Sequence, residues 1–378
     1  MTLFVELHLI QNFAPSNLNR DDTGAPKDAI FGGQRRARVS SQCFKRAIRL
    51  YCRDQQLIPT EYRALRTKKL QTLLLERLDD RDQEEAIGKI EVALAAAGLK
   101  VKDDGKTEYL LFLGEREIAG FAALIEERWD ALSIPAVDEK KGKKESKAGI
   151  LAELAKQAKA LLDGGKAVDV ALFGRMLADL PQVNQDAACQ VAHAISTHRV
   201  ERDFDYFTAV DDMGGRNEPS VGMIGQSEFN SATFYRYAVL DVSKLLQNLQ
   251  DDKELTVSAI EALIQSMVRA IPTGKQNNFA AHNLPEFIGV SLRRSPLNLA
   301  NAFERPIQPR HDKSLTEQSV EALVEYEIKL ASVYMDASDR WAHIDLTGKW
   351  QLENSLALSS VSDLAVWVSD IVKTQWGK

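Results

Sequence analysis

Residues 3–13 read LFVELHLIQNF, and their alternation decides the fold class. Phe4, Glu6, His8 and Ile10 fall on one side of an extended chain and Val5, Leu7 and Leu9 on the other, which predicts a half-buried strand. A polar loop with Pro15, Gly24, Pro26 and the pair Gly32-Gly33 follows. Ser40 then stands at an N-cap position, with Val39 and Phe44 placed as a hydrophobic staple, and the helix it opens is expected to run to about Asp54. From 59 to 180 the spacing is helical, with Leu70, Leu74 and Leu78, then 87–97, 118–132 and 150–162, interrupted by Gly/Lys-rich loops at 102–106 and 138–147. Beyond Pro181 the texture changes. Residues 205–212 and 233–241 are aromatic and β-branched, and they flank a stretch rich in Gly, Ser and Asn, which suggests a long hairpin. Residues 256–271 form an amphipathic helix with Ile260, Leu263, Ile264, Met267 and Val268 on its apolar side; 287–292 is a strand, and 315–334 and 362–372 are late helices. Without the helical block the order is strand, helix, strand, strand, helix, strand. This is the split βαβ arrangement of RRM and ferredoxin-like α+β folds, which leaves one sheet face open to a ligand. The expected organisation is a discontinuous core of 1–58 and 181–378, a helical insertion of 59–180, and a β-hairpin of 199–232 set into the core.

At 378 residues, with 44% hydrophobic and 27% charged side chains, the chain can bury a substantial core and is neither disordered nor fibrous. It has no run of about 18 apolar residues and no basic segment leading into an apolar one at its start, so neither membrane spanning nor secretion is expected. Cys43, Cys52 and Cys189 are odd in number and unpaired in spacing, which fits free thiols in the cytoplasm.

Lys plus Arg total 48 against 54 Asp plus Glu, a net charge of -6. Distribution matters more than the sum. Residues 19–49 carry Arg20, Lys27, Arg35, Arg36, Arg38, Lys45, Arg46 and Arg49 against Asp21, Asp22 and Asp28, whereas 76–85 hold six acids and two bases. On the first helix Gln42, Lys45, Arg46 and Arg49 share one face while Phe44, Ala47, Ile48 and Tyr51 share the other. A cationic face opened by Ser40 suits a phosphate backbone, because the first-turn N–H groups also favour an anion. Tyr206 and Phe207 are adjacent in a strand and so point to opposite faces, one toward a core and one available for stacking. In Gly174-Arg175-Met176, the arginine can reach a phosphate and the methionine can act as an apolar wedge.

Several motifs in order then carry a resemblance: Asn19-Arg20-Asp21-Asp22, Lys27-Asp28-Ala29-Ile30-Phe31-Gly32-Gly33, Arg38-Val39-Ser40-Ser41-Gln42, Gly174-Arg175-Met176, Ile195-Ser196-Thr197-His198, Phe207-Thr208-Ala209-Val210-Asp211-Asp212, Phe234-Tyr235-Arg236-Tyr237-Ala238 and Gly274-Lys275-Gln276. Together they resemble the CasC family of the Cas-seven superfamily, the backbone subunit of the type I-E CRISPR surveillance complex, Cascade. The resemblance implies an RRM-like palm, helical fingers and a hairpin thumb. It also implies copies that polymerise along a guide RNA (crRNA), turn a base out at regular intervals and leave the rest to pair with target DNA, beside other Cascade subunits. Carried over by position, Arg20, Lys27, Ser40, Gln42, Lys45, Arg46 and Arg49 would hold RNA phosphates, together with Arg175, Lys275 and Gln276. Met176 and Phe207, with Tyr206, would wedge beside the displaced base. Lys140, Lys141, Lys143, Lys144 and Lys147 resemble the family's basic finger patch for target DNA.

A rival reading is a metal-dependent ribonuclease using loop aspartates, Asp21, Asp22 or Asp28, with Asp211 and Asp212, since carboxylates near RNA can hold Mg²⁺. No general base with a fixed partner accompanies them. His193 and His198 lie five apart, off the helical ligand spacing, and no Walker A string, dinucleotide turn or nucleophile elbow occurs. The expectation is therefore a non-catalytic protein without metal or cofactor.

Overall fold

The computed structural model describes residues 2–132, 144–177, 180–210, 221–334, 336 and 338–376. The chain divides into two compact units: Met1–Asp54, Gln190–Val242 and Ile260–Lys378 make the first, Gln55–Cys189 and Ser243–Ala259 the second. The sequence reading assigns 243–259 to the core; the structure groups it with the second unit.

In chain order the elements begin with β1 (Phe4–Ser16), β2 (Asp28–Phe31), β3 (Gln34–Val39) and α1 (Ser41–Asp54). The second unit follows with β4 (Ala64–Thr67), α2 (Leu70–Leu75), α3 (Gln83–Ala96), β5 (Leu111–Gly114), α4 (Glu115–Glu127), α5 (Lys144–Ala160) and α6 (Val168–Phe173). Then come β6 (Cys189–Val191), β7 (Ala194–Ser196), β8 (Asp203–Val210), β9 (Val221–Asp241), α7 (Val242–Asn248), α8 (Lys253–Arg269) and α9 (Gln276–Phe279). The chain closes with β10 (Phe287–Arg293), α10 (Leu315–Tyr334), β11 (Arg340–Asp345), β12 (Ser355–Ala357) and α11 (Val361–Trp376).

The chain is mixed α+β around a mostly antiparallel sheet ordered β12-β11-β10-β1-β9-β7-β3-β2, in which only the β11–β12 pair is parallel. Four central strands, β10-β1-β9-β7, are all antiparallel neighbours, with α1 between β1 and β7 in the chain and α8 between β9 and β10. The second strand of this set is not 205–212 as the pattern suggested. It is the three-residue β7, too short to show a period; β8 pairs with the first half of β9. β9 runs unbroken for 21 residues, through 221–230 of the Gly-, Ser- and Asn-rich stretch. The polar loop after β1 holds a hairpin: Phe31 pairs with Gln34, and Gly32 and Gly33 turn it at φ +56° and +72°, the positive values a two-residue turn needs.

Along β1 most of the strand is buried on both sides, so the sheet face expected to be open is covered there. Over the face of Ile10, Tyr235 and Tyr237 lies a cluster with Phe303, Val320, Leu323 and Trp341, brought by the helical turn Ala300–Phe303, α10 and β11. Glu6 and His8 on that face, polar as they are, are fully buried. The Glu6 carboxylate accepts from Arg293 at 2.9 Å, the Tyr237 hydroxyl at 2.6 Å and the Leu297 N–H at 2.6 Å, and Arg293 in turn pairs with Glu327 of α10. A buried carboxylate persists only with such partners. On the opposite face Arg236 stacks 4.0 Å from the Phe44 ring of α1 and donates to the Met267 carbonyl of α8 at 2.7 Å.

The second unit packs α2, α3, α4 and α5 through Leu74, Ile90, Leu94, Phe121, Ile125 and Leu154. It also contains a two-stranded sheet, β4-β5, unforeseen in a helical reading. Its acidic run has a local cause: Asp82 caps α3 by accepting from Glu85 N–H at 3.0 Å, and Glu84 and Glu85 sit in the first turn, where the helix dipole favours negative charge.

Candidate nucleic-acid interface

α1 begins as its sequence dictates. Ser40 Oγ accepts from the Cys43 N–H at 3.3 Å, and Ser40 N–H donates to Asn19 Oδ1 at 2.9 Å, so the cap also ties the helix to the loop that carries Arg20. Phe44, Ala47 and Ile48 are buried, Phe44 in a cluster with Phe13, Val39, Ala194 and Phe234, and burial of a side chain such as Phe44 stabilises by about 2 kcal/mol. The other face carries Gln42 and Arg46 exposed, with Lys45 and Arg49 half-buried.

The preceding loop is folded on itself: Asp21 N–H donates to Ala25 O, Lys27 N–H to Asn19 O, both at 2.9 Å, and Arg20 bridges Pro26. Arg20 and Arg46 thereby line one cleft of about 470 Å³, walled opposite by Thr273 and Gly274. At Gly274 a Cβ would stand 2.3 Å from the Leu18 carbonyl, so only glycine lets the two backbones meet. Cys43 borders the cleft as a thiol: burial raises its pKa against the opposing charges of Arg46 and Lys27.

Lys275 follows with φ +46° and donates to Ser227 Oγ of β9 at 2.9 Å. Gln276 spends its amide N–H groups on Pro272 O and Ala281 O, at 2.9 and 3.3 Å, and so holds its own turn. Two of the loop arginines are also engaged. Arg36 is buried on the carbonyls of Ser196, Phe303 and Glu304, and Arg38 reaches Asp28 O and the His193 ring.

Arg175 requires a correction. It is 5% exposed, and its guanidinium grips both oxygens of Glu117 at 2.8 and 2.9 Å and the carbonyls of Phe112, Leu162 and Val183. With its N–H fork filled inside the second unit, it has nothing to offer a phosphate. The next residue, Met176, is 83% exposed beside Tyr109 and Leu110, at an apolar cleft of about 150 Å³.

On β8 neither aromatic enters a core. Tyr206 is 72% and Phe207 42% exposed, and the Phe207 ring lies over Gly225 across the strand pair. Phe204, 56% exposed and two residues before Tyr206, shares its side of the strand; the period of two identifies it, and the sequence reading overlooked it. Of the finger lysines, Lys140, Lys141 and Lys143 lie outside the described residues, and Lys144 and Lys147 fall in the first turn of α5.

The sequence profile of the CT1975-like protein family matches residues 5–367. The chain belongs to that family. Among solved structures it is similar to a chain of a CRISPR RNA-guided surveillance complex in its pre-nicking state, at 29% identity and TM-score 0.85, over 97% of this chain and 99% of that one. It shares its fold with a chain of a CRISPR RNA-guided surveillance complex at TM-score 0.62 and 24% identity, over 98% and 99%. No curated protein matches.

Two of the loop carboxylates, Asp28 and Asp21, have other work. Asp28 pairs with Arg35 at 3.3 Å and Arg202 at 3.0 Å. Asp21 accepts from the Thr23 hydroxyl and from Thr23 and Ala25 N–H groups, which hold its pKa down. Asp211 and Asp212 lie outside the described residues. Among the described residues no group of three His, Cys, Asp or Glu stands ready for a metal. His198 uses both ring nitrogens, Nδ1 on Arg199 O at 2.7 Å and Nε2 on the Thr233 N–H at 3.2 Å. No helix among the described residues is long and apolar enough to cross a membrane.

Proposed function

We propose that this chain is the RNA-gripping backbone subunit of a type I-E Cascade complex in the cytoplasm, acting without catalysis. The observation that carries the reading is the meeting, in one unit, of a capped cationic helix, a folded cationic loop and a two-stranded arm with exposed aromatics, in a chain similar over its whole length to one from a CRISPR RNA-guided surveillance complex. In this reading the first unit is the RRM-like palm, the second supplies the fingers and β8–β9 is the thumb.

Arg20, Lys27, Gln42, Lys45, Arg46 and Arg49 take guide-RNA phosphates, and Ser40 presents the first-turn N–H groups beside them. Lys275 reaches the same strand at the arm root. Tyr206, Phe207 and Met176 stack on and displace bases, each stacked base contributing about 1–3 kcal/mol whatever its identity. Sequence is read by base pairing with target DNA, which the lysines from 140 to 147 support. With about four phosphates per copy the salt slope is roughly -3, so one copy is weak and affinity comes from neighbours sharing one strand. A heterologous contact between copies that does not close gives a helical backbone on which the other subunits assemble.

The test is Lys45→Glu with Arg49→Glu in the full chain. Both sit on the helix face away from Phe44 and Ile48, and retained RNA of defined length should disappear from the purified protein, with a melting curve checking that the chain is still folded. Unchanged RNA retention would remove the palm from the account. Regularly spaced cleavage of complementary RNA in Mg²⁺, lost in Asp28→Asn, would establish the ribonuclease instead.

A further inference from the structure

Arg202 stands where the chain leaves the sheet and enters β8. One terminal nitrogen lies 3.0 Å from Asp28 Oδ2 on β2, the other 3.0 Å from Glu228 Oε2 on β9. Glu228 is the residue opposite Phe204, so a single guanidinium joins the β2–β3 hairpin to both strands of the arm at its root. All three side chains are roughly three-quarters shielded from water. Two further ties converge there: Asn17 donates to Glu228 O at 2.9 Å, and Lys275 to Ser227 Oγ at the same distance. Asp28 belongs to the segment that closes the cationic loop, with Lys27 directly before it.

We propose that Arg202 is the positioning residue of the arm, and that Asp28 and Glu228 are its two anchors. The planar fork of arginine meets two carboxylates at once, whereas a lysine ammonium is a single point on a flexible stem. Removing Arg202 leaves Asp28 with Arg35 at 3.3 Å and takes this cation from Glu228, so the arm loses its side-chain tie to the hairpin next to the loop that carries Arg20 and Lys27. A pre-set arm loses less conformational entropy when it closes on a strand. The carboxylate that looks catalytic in the sequence therefore acts through Arg202 to register the stacking surface against the phosphate contacts. The inference rests on the reading of β8–β9 as a nucleic-acid wedge, but the geometry it predicts does not require RNA.

The experiment uses the full chain, alone and on a synthetic single-stranded RNA long enough for several copies. Without RNA, Arg202→Ala should speed amide exchange in 203–208 and 225–229 relative to β1 and β10. With RNA, cooperative binding should weaken about tenfold, the scale of a lost ordering contribution, while the salt slope of binding stays as in the wild type. Arg202→Lys should recover part of the loss. Asp28→Asn with Glu228→Gln, Arg202 kept, should speed the same exchange as Arg202→Ala does, because both anchors lose their charge. Unchanged arm exchange in Arg202→Ala overturns the proposal. A salt slope shallower by about 0.7 also overturns it, since that makes Arg202 a phosphate ligand. A wild-type chain that binds no RNA defeats the RNA reading, while the exchange measurement still decides the clamp.

Discussion

Arg175 and Met176 are neighbours with opposite fates. The arginine turns inward to a carboxylate and three carbonyls, and the methionine turns out. Arg175→Ala would strand the Glu117 carboxylate, which is wholly buried, on the Gly114 and Gly164 N–H groups alone. Breaking a buried pair by removing one partner costs about 3–5 kcal/mol, so the urea midpoint of the second unit should fall steeply. RNA affinity of the fraction still folded should be unaffected. A variant of normal stability with weakened RNA binding would return Arg175 to the surface. Arg36, a basic residue of the cationic segment, is likewise consumed by backbone carbonyls.

β9 is the element that links scaffold to arm. At about 3.3 Å per residue its 21 residues span roughly 70 Å, the first part paired with β8 and the last part with β1. The arm is a continuation of the central sheet by the same hydrogen-bond ladder. Its free part has few apolar partners, which explains why Phe204, Tyr206 and Phe207 remain exposed. Replacing 206–226 by a two-residue Asn-Gly turn closes the hairpin on the Asp205–Ser227 rung and keeps Arg202 on its anchors. The melting temperature should stay within a few degrees of the parent, and cooperative assembly on RNA, followed by electron microscopy, should vanish. Filaments of normal length would take the arm out of the assembly.

Across the whole molecule the net charge of -6 hides two oppositely charged segments, and buried groups outside both make stability depend on pH. His198 is held neutral: burial lowers its pKa below 6.5, and Thr233 N–H occupies the nitrogen that would take the proton. The unfolded chain binds that proton near pH 6.5 and the folded one refuses it, so stability decreases as pH drops below 6.5. His343, lowered by burial, adds in the same sense. Glu6 acts further down. Burial raises its carboxyl, but the His8 contact, the Tyr237 hydroxyl and the Leu297 N–H outweigh this and leave it below 4.5. Its contribution is complete above pH 4.5 and is lost as pH falls through the folded value. Urea midpoints against pH should therefore fall in two stages, and His198→Gln should flatten the upper one. A profile level from about pH 8 to 5 would contradict the assignment.

The sequence alone determined the elements with a clear period: β1, the cap and two faces of α1, the apolar side of α8, the bounds of α10. It also determined the concentration of cations in 19–49 and the ordered motifs that mark the family. Tertiary structure decided what covers each face. Glu6 and His8 imitate the wet side of a half-buried strand, yet Arg293, 287 positions away from Glu6, and Glu327 make that side dry. β7 has three residues and no period of its own; it exists because β9 and β3 offer it edges. Arg175, Arg36 and Asp28 look like surface chemistry in the chain and are structural in the fold. Periodicity reports the direction of a side chain, while burial and pairing depend on partners that only folding brings within a hydrogen bond.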